Sequence, residues 1–180
     1  MQQQVSSSST SVRSIVYTAM FVALVFITTF STGISIPLSG VEGLFHFGTL
    51  VMFTIAIKYG KRYGGFAGGF GMSLFNIARG IAFWAPGILV GRFLTGYVMG
   101  FIAQTPKGQG ASFARNVIAL VVGGVVMLFT TWLYGSYFLG FGPEAALGTL
   151  PATALQLVGA SLGLFVVKYL PDLPENEGNL

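Results

Sequence analysis

Apolar stretches long enough to cross a bilayer recur along this chain, parted by short breaks of glycine, proline or charge. Residues 12–32 form the first, about 20 residues, which is the length a helix needs to span a ~30 Å hydrocarbon core. Residues 33–43 (GISIPLSGVEG) interrupt the pattern, and residues 45–59 follow as an apolar but short run. The second span is therefore expected to start inside the preceding loop or to sit deep. A third run, residues 63–78, comes after only Gly60, Lys61 and Arg62, a tight turn between antiparallel helices. Residues 79–85 make a short connection, and Pro86 falls in the first turn of a fourth helix that continues to Ala103. Residues 104–111 (QTPKGQGA) are a polar loop, and a fifth span runs from Phe113 to Tyr134, extensible to Phe138. After the turn at residues 140–144 (GFGPE), residues 145–169 supply the sixth span, with Pro151 near its start. The expected organisation is a disordered serine-rich tail (1–11), a six-helix transmembrane substrate-binding domain (12–170) and an acidic cytoplasmic tail (171–180). Residues 1–11 lack the basic start of a signal peptide, and no clear cleavage site follows them.

Composition agrees with lipid as the solvent. Hydrophobic residues make up 53% and charged residues 8% of the chain, and mean hydropathy is +0.77. A soluble domain carries about 25% charged residues to cover itself with water-compatible surface. The 26 glycines show no collagen-like period, and glycine suits helices that pack closely in a bilayer. Without cysteine there is no disulfide framework, thiolate metal site or cysteine nucleophile. Charge sets the orientation. With six spans, one side receives Arg13, Lys58, Lys61, Arg62, Lys107, Arg115 and Lys168; the other receives Arg79, Glu42 and Glu144. Basic residues stay cytoplasmic during insertion, so the fold class expected is an all-α membrane protein with both termini in the cytoplasm. The net charge of +4 is a topology signal and not a nucleic-acid footprint.

Small residues recur one helical turn apart: Ala19/Ala23, Gly64/Gly68, Gly65/Gly69, Gly87/Gly91, Gly96/Gly100 and Gly159/Gly163. Each pair makes a flat stripe on one helix face, and internal bundle packing is the ordinary use of such a stripe. Polar groups inside the spans are few. Arg92 lies near mid-membrane on the fourth helix, where a charge is costly unless paired or hydrated. It reads as a contact to a substrate or partner, or as a snorkelling side chain. Glu42 and His46 stand four apart where the first external loop meets helix two. They could line a cavity mouth, or His46 could make an ordinary interfacial hydrogen bond. Asn76, Arg79, Trp84, Trp132, Tyr134, Tyr137 and Gln156 fall toward that same outer end. Singly, the rings are interfacial belt residues; pooled, these groups describe an outward-facing polar-aromatic pocket.

Catalytic equipment is missing. No paired carboxylates or histidine-rich metal cluster occur in the spans. No GxxxxGK[ST] phosphate loop is present, so ATP hydrolysis is not expected in this polypeptide. A proton- or sodium-coupled transporter generally carries a membrane-embedded carboxylate or broken helices, and neither is read here. The chain reads as a binder whose energy is supplied elsewhere.

The stretch GLFHFGTLVMFTIAIKYGKRYGGFAGGFGMSLFNIARGIAFWAPGILVGRFLTGYVMGF resembles the substrate-binding S components of energy-coupling factor (ECF) vitamin transporters. The resemblance extends over residues 13–169 and is nearest to the riboflavin-type and related small-vitamin branch. It rests on His46-Phe47-Gly48, the glycine-rich helix at residues 64–71, and Trp84-Ala85-Pro86 followed by Arg92 and Gly96. Asn76 and Thr49 stand where many relatives carry an acid, and both positions bear on which vitamin is held. The resemblance implies a six-helix protein of the bacterial plasma membrane that captures a vitamin from outside. It also implies partners: a transmembrane coupling subunit and two cytoplasmic ATPases that use Mg-ATP, in an ABC transporter complex. In such proteins an alanine stripe on helix one, here Ala19 and Ala23, is the docking face for the coupling subunit. No cofactor, metal or nucleic acid is expected on this chain itself, whose other contacts are with membrane lipid.

The leading expectation is thus a non-enzymatic vitamin-capture subunit, with pyridoxine or hydroxymethylpyrimidine favoured as ligand. The motive is a pocket of rings, amides and hydroxyls with one acid. Riboflavin and pantothenate stay open. So do a stand-alone permease that needs no ATPase and a structural membrane protein without a small ligand.

Overall fold

The computed structural model describes the backbone of residues 2–38, 41–104 and 110–173, and their side chains apart from residues 2–11, 37–38 and 41–42. The expected tail residues 174–180 and most of the polar loop, with Lys107, lie outside the described residues. Helix α1 (Gln2–Thr32) leads into a hairpin of β1 (Ile34–Leu38) and β2 (Val41–Phe45). Then come α2 (Gly48–Tyr59), α3 (Lys61–Ala78), a 3-10 turn (Ala82–Trp84), α4 (Ala85–Ala103) and α5 (Phe113–Leu133). A π-helical turn (Tyr134–Phe138) extends α5, and α6 (Pro143–Leu147), α7 (Leu150–Ala160) and α8 (Gly163–Val166) complete the fold.

The bundle's flanks are apolar, unlike the surface of a soluble domain. Large apolar side chains such as Phe66, Phe70, Leu74, Val90, Phe101, Val125, Phe129 and Phe165 stand exposed on the bundle's flanks. Thr29, Thr49, Asn76, Thr95, Asn116 and Gln156 are buried. Four helical stretches are long and apolar enough to cross a membrane: Val12–Thr32, Ala82–Ala103, Phe113–Phe138 and Pro143–Tyr169. The 12-residue α2 is shorter, and α3 is 18 residues long and rich in glycine. This is an all-helical membrane protein with one small hairpin.

Short α2 is the centre of the bundle. Met52, Phe53, Ile55, Ala56 and Ile57 are all buried, with α1, α3, α4 and α7 packed round it. It ends at Gly60, whose φ of 101° lies in the region that favours glycine. That permits α3 to begin at the next residue, as the expected tight turn requires. The glycine stripes are the means of close approach. A Cβ on Gly64 would lie 2.4 Å from that of Ala56 on α2, and one on Gly96 would lie 2.4 Å from the Gly64 carbonyl oxygen. Gly65 and Gly69 face Phe93 and Leu89 of α4, and Gly87 faces the Tyr134 ring. These pairs serve internal packing. Ala19 and Ala23, by contrast, are exposed on the outer face of α1.

Three features differ from the sequence expectation. The break at residues 33–43 is largely an antiparallel hairpin, in register from Ile34↔Phe45 to Leu38↔Val41; Pro37 is tolerated because each strand has a free edge. Consequently α2 starts at Gly48, after the break, and not inside the loop that precedes Phe45. The sixth run is not one helix: it is divided into α6, α7 and α8, with Pro143 and Pro151 in the first turns of α6 and α7. Helix α1, for its part, has helical backbone from Gln2 onward, within the serine-rich stretch.

A candidate ligand cavity under the hairpin

The end of the bundle that carries the hairpin encloses a cavity of about 480 Å³, within the size range of small-molecule sites. The hairpin covers it with Ser35, Gly43 and Leu44; α3 contributes Met72 and Asn76, and α4 contributes Ile88 and Arg92. Arg79, Ile81, Phe83, Trp84 and Phe141 line it from the connections at this end. From α5 comes Thr131, and Thr149, Ala152, Thr153 and Gln156 complete the lining from α7 and the residue before it. The start of α4 is fixed to α3 by Ser73 Oγ, which donates to the Ala85 carbonyl at 2.9 Å.

The polar side chains have distinct tasks. Gln156 joins three elements: its Oε1 accepts from Thr49 Oγ1 of α2 at 2.7 Å, and its Nε2 donates to the Leu44 carbonyl of β2 at 2.6 Å. Asn76 Nδ2 donates to Met72 O at 2.7 Å. The hydroxyls of Thr131, Thr149 and Thr153 donate to the backbone carbonyls of Met127, Ala146 and Thr149, three or four residues earlier in the chain. The threonines therefore have only oxygen lone pairs to offer the cavity. Arg79 donates to the Gly33 carbonyl at 3.3 Å, tying the end of α3 to the end of α1. Arg92 is only 4% exposed, and its Nε and Nη1 have no hydrogen-bond partner among the described residues. Buried His46 likewise leaves Nδ1 unpartnered, its ring lying 5.9 Å from Phe75.

One wall is aromatic. Trp84 meets Phe141 edge-on at 6.0 Å and Phe83 at 6.4 Å between ring centroids. Tyr134 stands behind this wall: its ring is 5.9 Å from that of Trp84, and its hydroxyl donates to the Phe83 carbonyl at 2.9 Å.

Of the residues singled out from sequence, His46, Asn76, Arg79, Trp84, Arg92 and Gln156 come together around the cavity. Tyr134 supports it from behind, in a narrow cleft with Gly87, Gly91 and Thr130. Tyr137 is 64% exposed and meets Trp132 edge-on, as a membrane-interface ring does. The Glu42 side chain lies outside the described residues, though its backbone pairs with Pro37 in the hairpin. Sequence reasoning passed over Phe83, Phe141 and the threonines. A signal existed for two of these: Thr149, Ala152, Thr153 and Gln156 are spaced to share one helix face. Among the described residues no cluster of His, Asp or Glu could hold a metal ion.

Residues 9–170 match the family model described as ECF-type riboflavin transporter, S component. The chain belongs to this family. It is also 30% identical over 156 residues to a Pyrococcus woesei protein described as "Uncharacterized protein in gap 3'region", with 84% of this chain and 99% of that protein covered. An ECF S component is a membrane-integral transporter subunit, in keeping with four bilayer-length apolar stretches.

Proposed function

We propose that this S component captures riboflavin from the outer side of the membrane in the cavity beneath the hairpin. The observation that carries this reading is the cavity itself: about 480 Å³ with an aromatic wall of Phe83, Trp84 and Phe141 and a polar opposite side. A tricyclic flavin has a flat face for the rings and a hydroxylated chain for the threonine and amide groups. A single pyridine or pyrimidine ring, favoured on sequence alone, would leave much of that volume to water. The family description supports the same ligand.

In this reading the chain spans the membrane six times with both termini in the cytoplasm. Supporting contacts gather the basic residues at the end opposite the cavity. There Tyr63 of α3 reaches Ser14 of α1, Lys58 of α2 pairs with Asp172, and Arg115 of α5 donates to the Gln104 carbonyl. The exposed Ala19/Ala23 stripe docks on a transmembrane coupling subunit, and two ATPase subunits hydrolyse Mg-ATP. Asn76, Arg79, Trp84 and Gln156 then surround the ligand, and Tyr134 steadies the Trp84 wall.

Detergent-purified protein is denatured and its released small molecules are identified by mass spectrometry. In parallel, quenching of riboflavin fluorescence on titration with the apoprotein is followed. Recovery of riboflavin and submicromolar quenching are expected. Recovery of pantothenate, pyridoxine or hydroxymethylpyrimidine, with no flavin quenching, overturns the assignment.

A further inference from the structure

We infer that the lipid-facing surface where α3 meets α4 carries a binding site for one anionic phospholipid. Its phosphate lies against Lys61, Arg62 and the Tyr97 hydroxyl, and an acyl chain follows the rings that lead inward from them. The site depends neither on what the cavity holds nor on which side of the membrane the basic end faces.

Glycine brings the parts together. Helices α3 and α4 run antiparallel at backbone distance: a Cβ on Gly100 would collide with the Lys61 backbone, and one on Gly96 with that of Gly64. Lys61 therefore enters α3 directly beside the last turns of α4, and its side chain lies across their rings. Its Nζ is 5.8 Å from the centroid of Tyr97 and 5.7 Å from that of Phe101, within the range of cation–π attraction. Arg62 follows it, exposed.

Neither cation meets a carboxylate. Among the described residues the one ion pair joins Lys58 to Asp172, and Glu144 begins α6, beside the Phe141 wall of the cavity. The Tyr97 hydroxyl likewise makes no hydrogen bond among the described residues. Two unpaired cations and a hydroxyl donor suit a phosphate oxyanion. A zwitterionic headgroup would bring a cation of its own to the same place; an anionic one would not.

An ordinary interfacial belt keeps its rings at headgroup level. Here they continue inward. Tyr97 stacks on Phe93 at 6.0 Å, Phe93 meets Phe66 edge-on at 5.2 Å, and Phe66 stacks on Phe70 at 6.0 Å. From Lys61 to Phe70 is about 14 Å of helix, roughly half of a ~30 Å hydrocarbon core. Phe66, Phe70, Tyr97 and Phe101 are all exposed on this surface. Rings already held against one another lose little further freedom when a chain lies on them.

The chain has no cysteine, so a single introduced thiol carries a fluorophore to a chosen face. Leu94→Cys places it on the exposed side of α4 beside the rings; Val121→Cys places it on α5, similarly far from the basic end of its helix. The full chain is reconstituted in phosphatidylcholine bilayers, and quenching by brominated phosphatidylglycerol or brominated phosphatidylcholine is followed against mole fraction. At residue 94, half-maximal quenching is expected at about a fivefold lower fraction of the phosphatidylglycerol. At residue 121 the two curves are expected to coincide. Lys61→Gln with Arg62→Gln is expected to erase the preference at residue 94, and Tyr97→Phe to lower it.

Coincident curves at residue 94 overturn the inference. So does an equal preference at both positions, which marks general attraction to the basic end, or a preference that survives the double substitution. Quenching by neither lipid at residue 94 overturns it too, since protein and not lipid then covers this face. Should the double variant fail to fold, Lys61→Gln and Arg62→Gln are each expected to lower the preference, and no change in either overturns the site.

Discussion

Gln156 illustrates how much one side chain can organise in a core with few polar groups. Its amide spans α2 and β2 at once, through Thr49 Oγ1 and the Leu44 carbonyl. Replacing it with Leu leaves both partners buried and unsatisfied, at a cost of about 1–3 kcal/mol. A Gln156→Leu variant is expected to melt earlier in detergent than wild type, and Thr49→Val to lose less because the bond to Leu44 survives. Equal melting temperatures for wild type and Gln156→Leu would contradict the bridging role. The presence of Gln156 in an apolar run was legible in the sequence; its partner, 107 residues away, was not. Arg92 was legible as an expensive charge, but only the packing around it separates enclosure at a cavity from escape to the cytoplasmic surface. Phe83 and Phe141 passed unnoticed because phenylalanine is common in this chain, so a ring in a cavity wall has the same local signature as a ring in lipid.

Between elements, glycine sets the distances. A Cβ at Gly96 would meet backbone of α3 and one at Gly87 would meet the Tyr134 ring 2.2 Å away, so substitution at the two sites has different consequences. Gly96→Ala forces α3 and α4 apart and is expected to destabilise the fold by about 1–3 kcal/mol. Gly87→Ala displaces Tyr134, hence the Trp84 wall and the Phe83 carbonyl contact, and is expected to weaken ligand binding more than it lowers the melting temperature. Measuring both quantities on both variants separates packing from wall support; identical profiles would refute the distinction. Stripe spacing revealed where helices could come close, but spacing carries no information on which neighbour each stripe meets. The hairpin escaped notice for a related reason. Two five-residue strands, one holding Pro37 and the other Gly43, look like an irregular loop until their pairing is known. Division of the last run into three helices was equally hidden, because hydropathy averages over a short turn.

For the whole molecule, hydropathy foretold a multi-pass bundle, in keeping with the four bilayer-length apolar stretches, and charge foretold which end lies in the cytoplasm. The chain has no cysteine, so single introduced thiols report their own position. In intact cells, Glu144→Cys is expected to react with a membrane-impermeant maleimide. Arg62→Cys and Lys168→Cys are expected to react only after permeabilisation. The opposite pattern would invert the topology. The exposed stripe on α1 belongs to the same scale. Ala19→Trp with Ala23→Trp is expected to leave flavin binding unchanged while preventing co-purification of the coupling subunit and ATPases. If assembly persists, the stripe faces lipid alone.

Gly43 lies so close to α7 that a Cβ there would stand 2.2 Å from that of Ala152. At this point the hairpin is seated on a methyl group with no interlocking side chain, and nearby the Gln156 amide holds it by one hydrogen bond to a backbone carbonyl. A contact of this kind has no room for an added carbon, so a side chain at residue 43 would have to lift the hairpin away from α7. Gly43→Val is thus expected to melt earlier than wild type, with the loss read as a lower melting temperature in detergent.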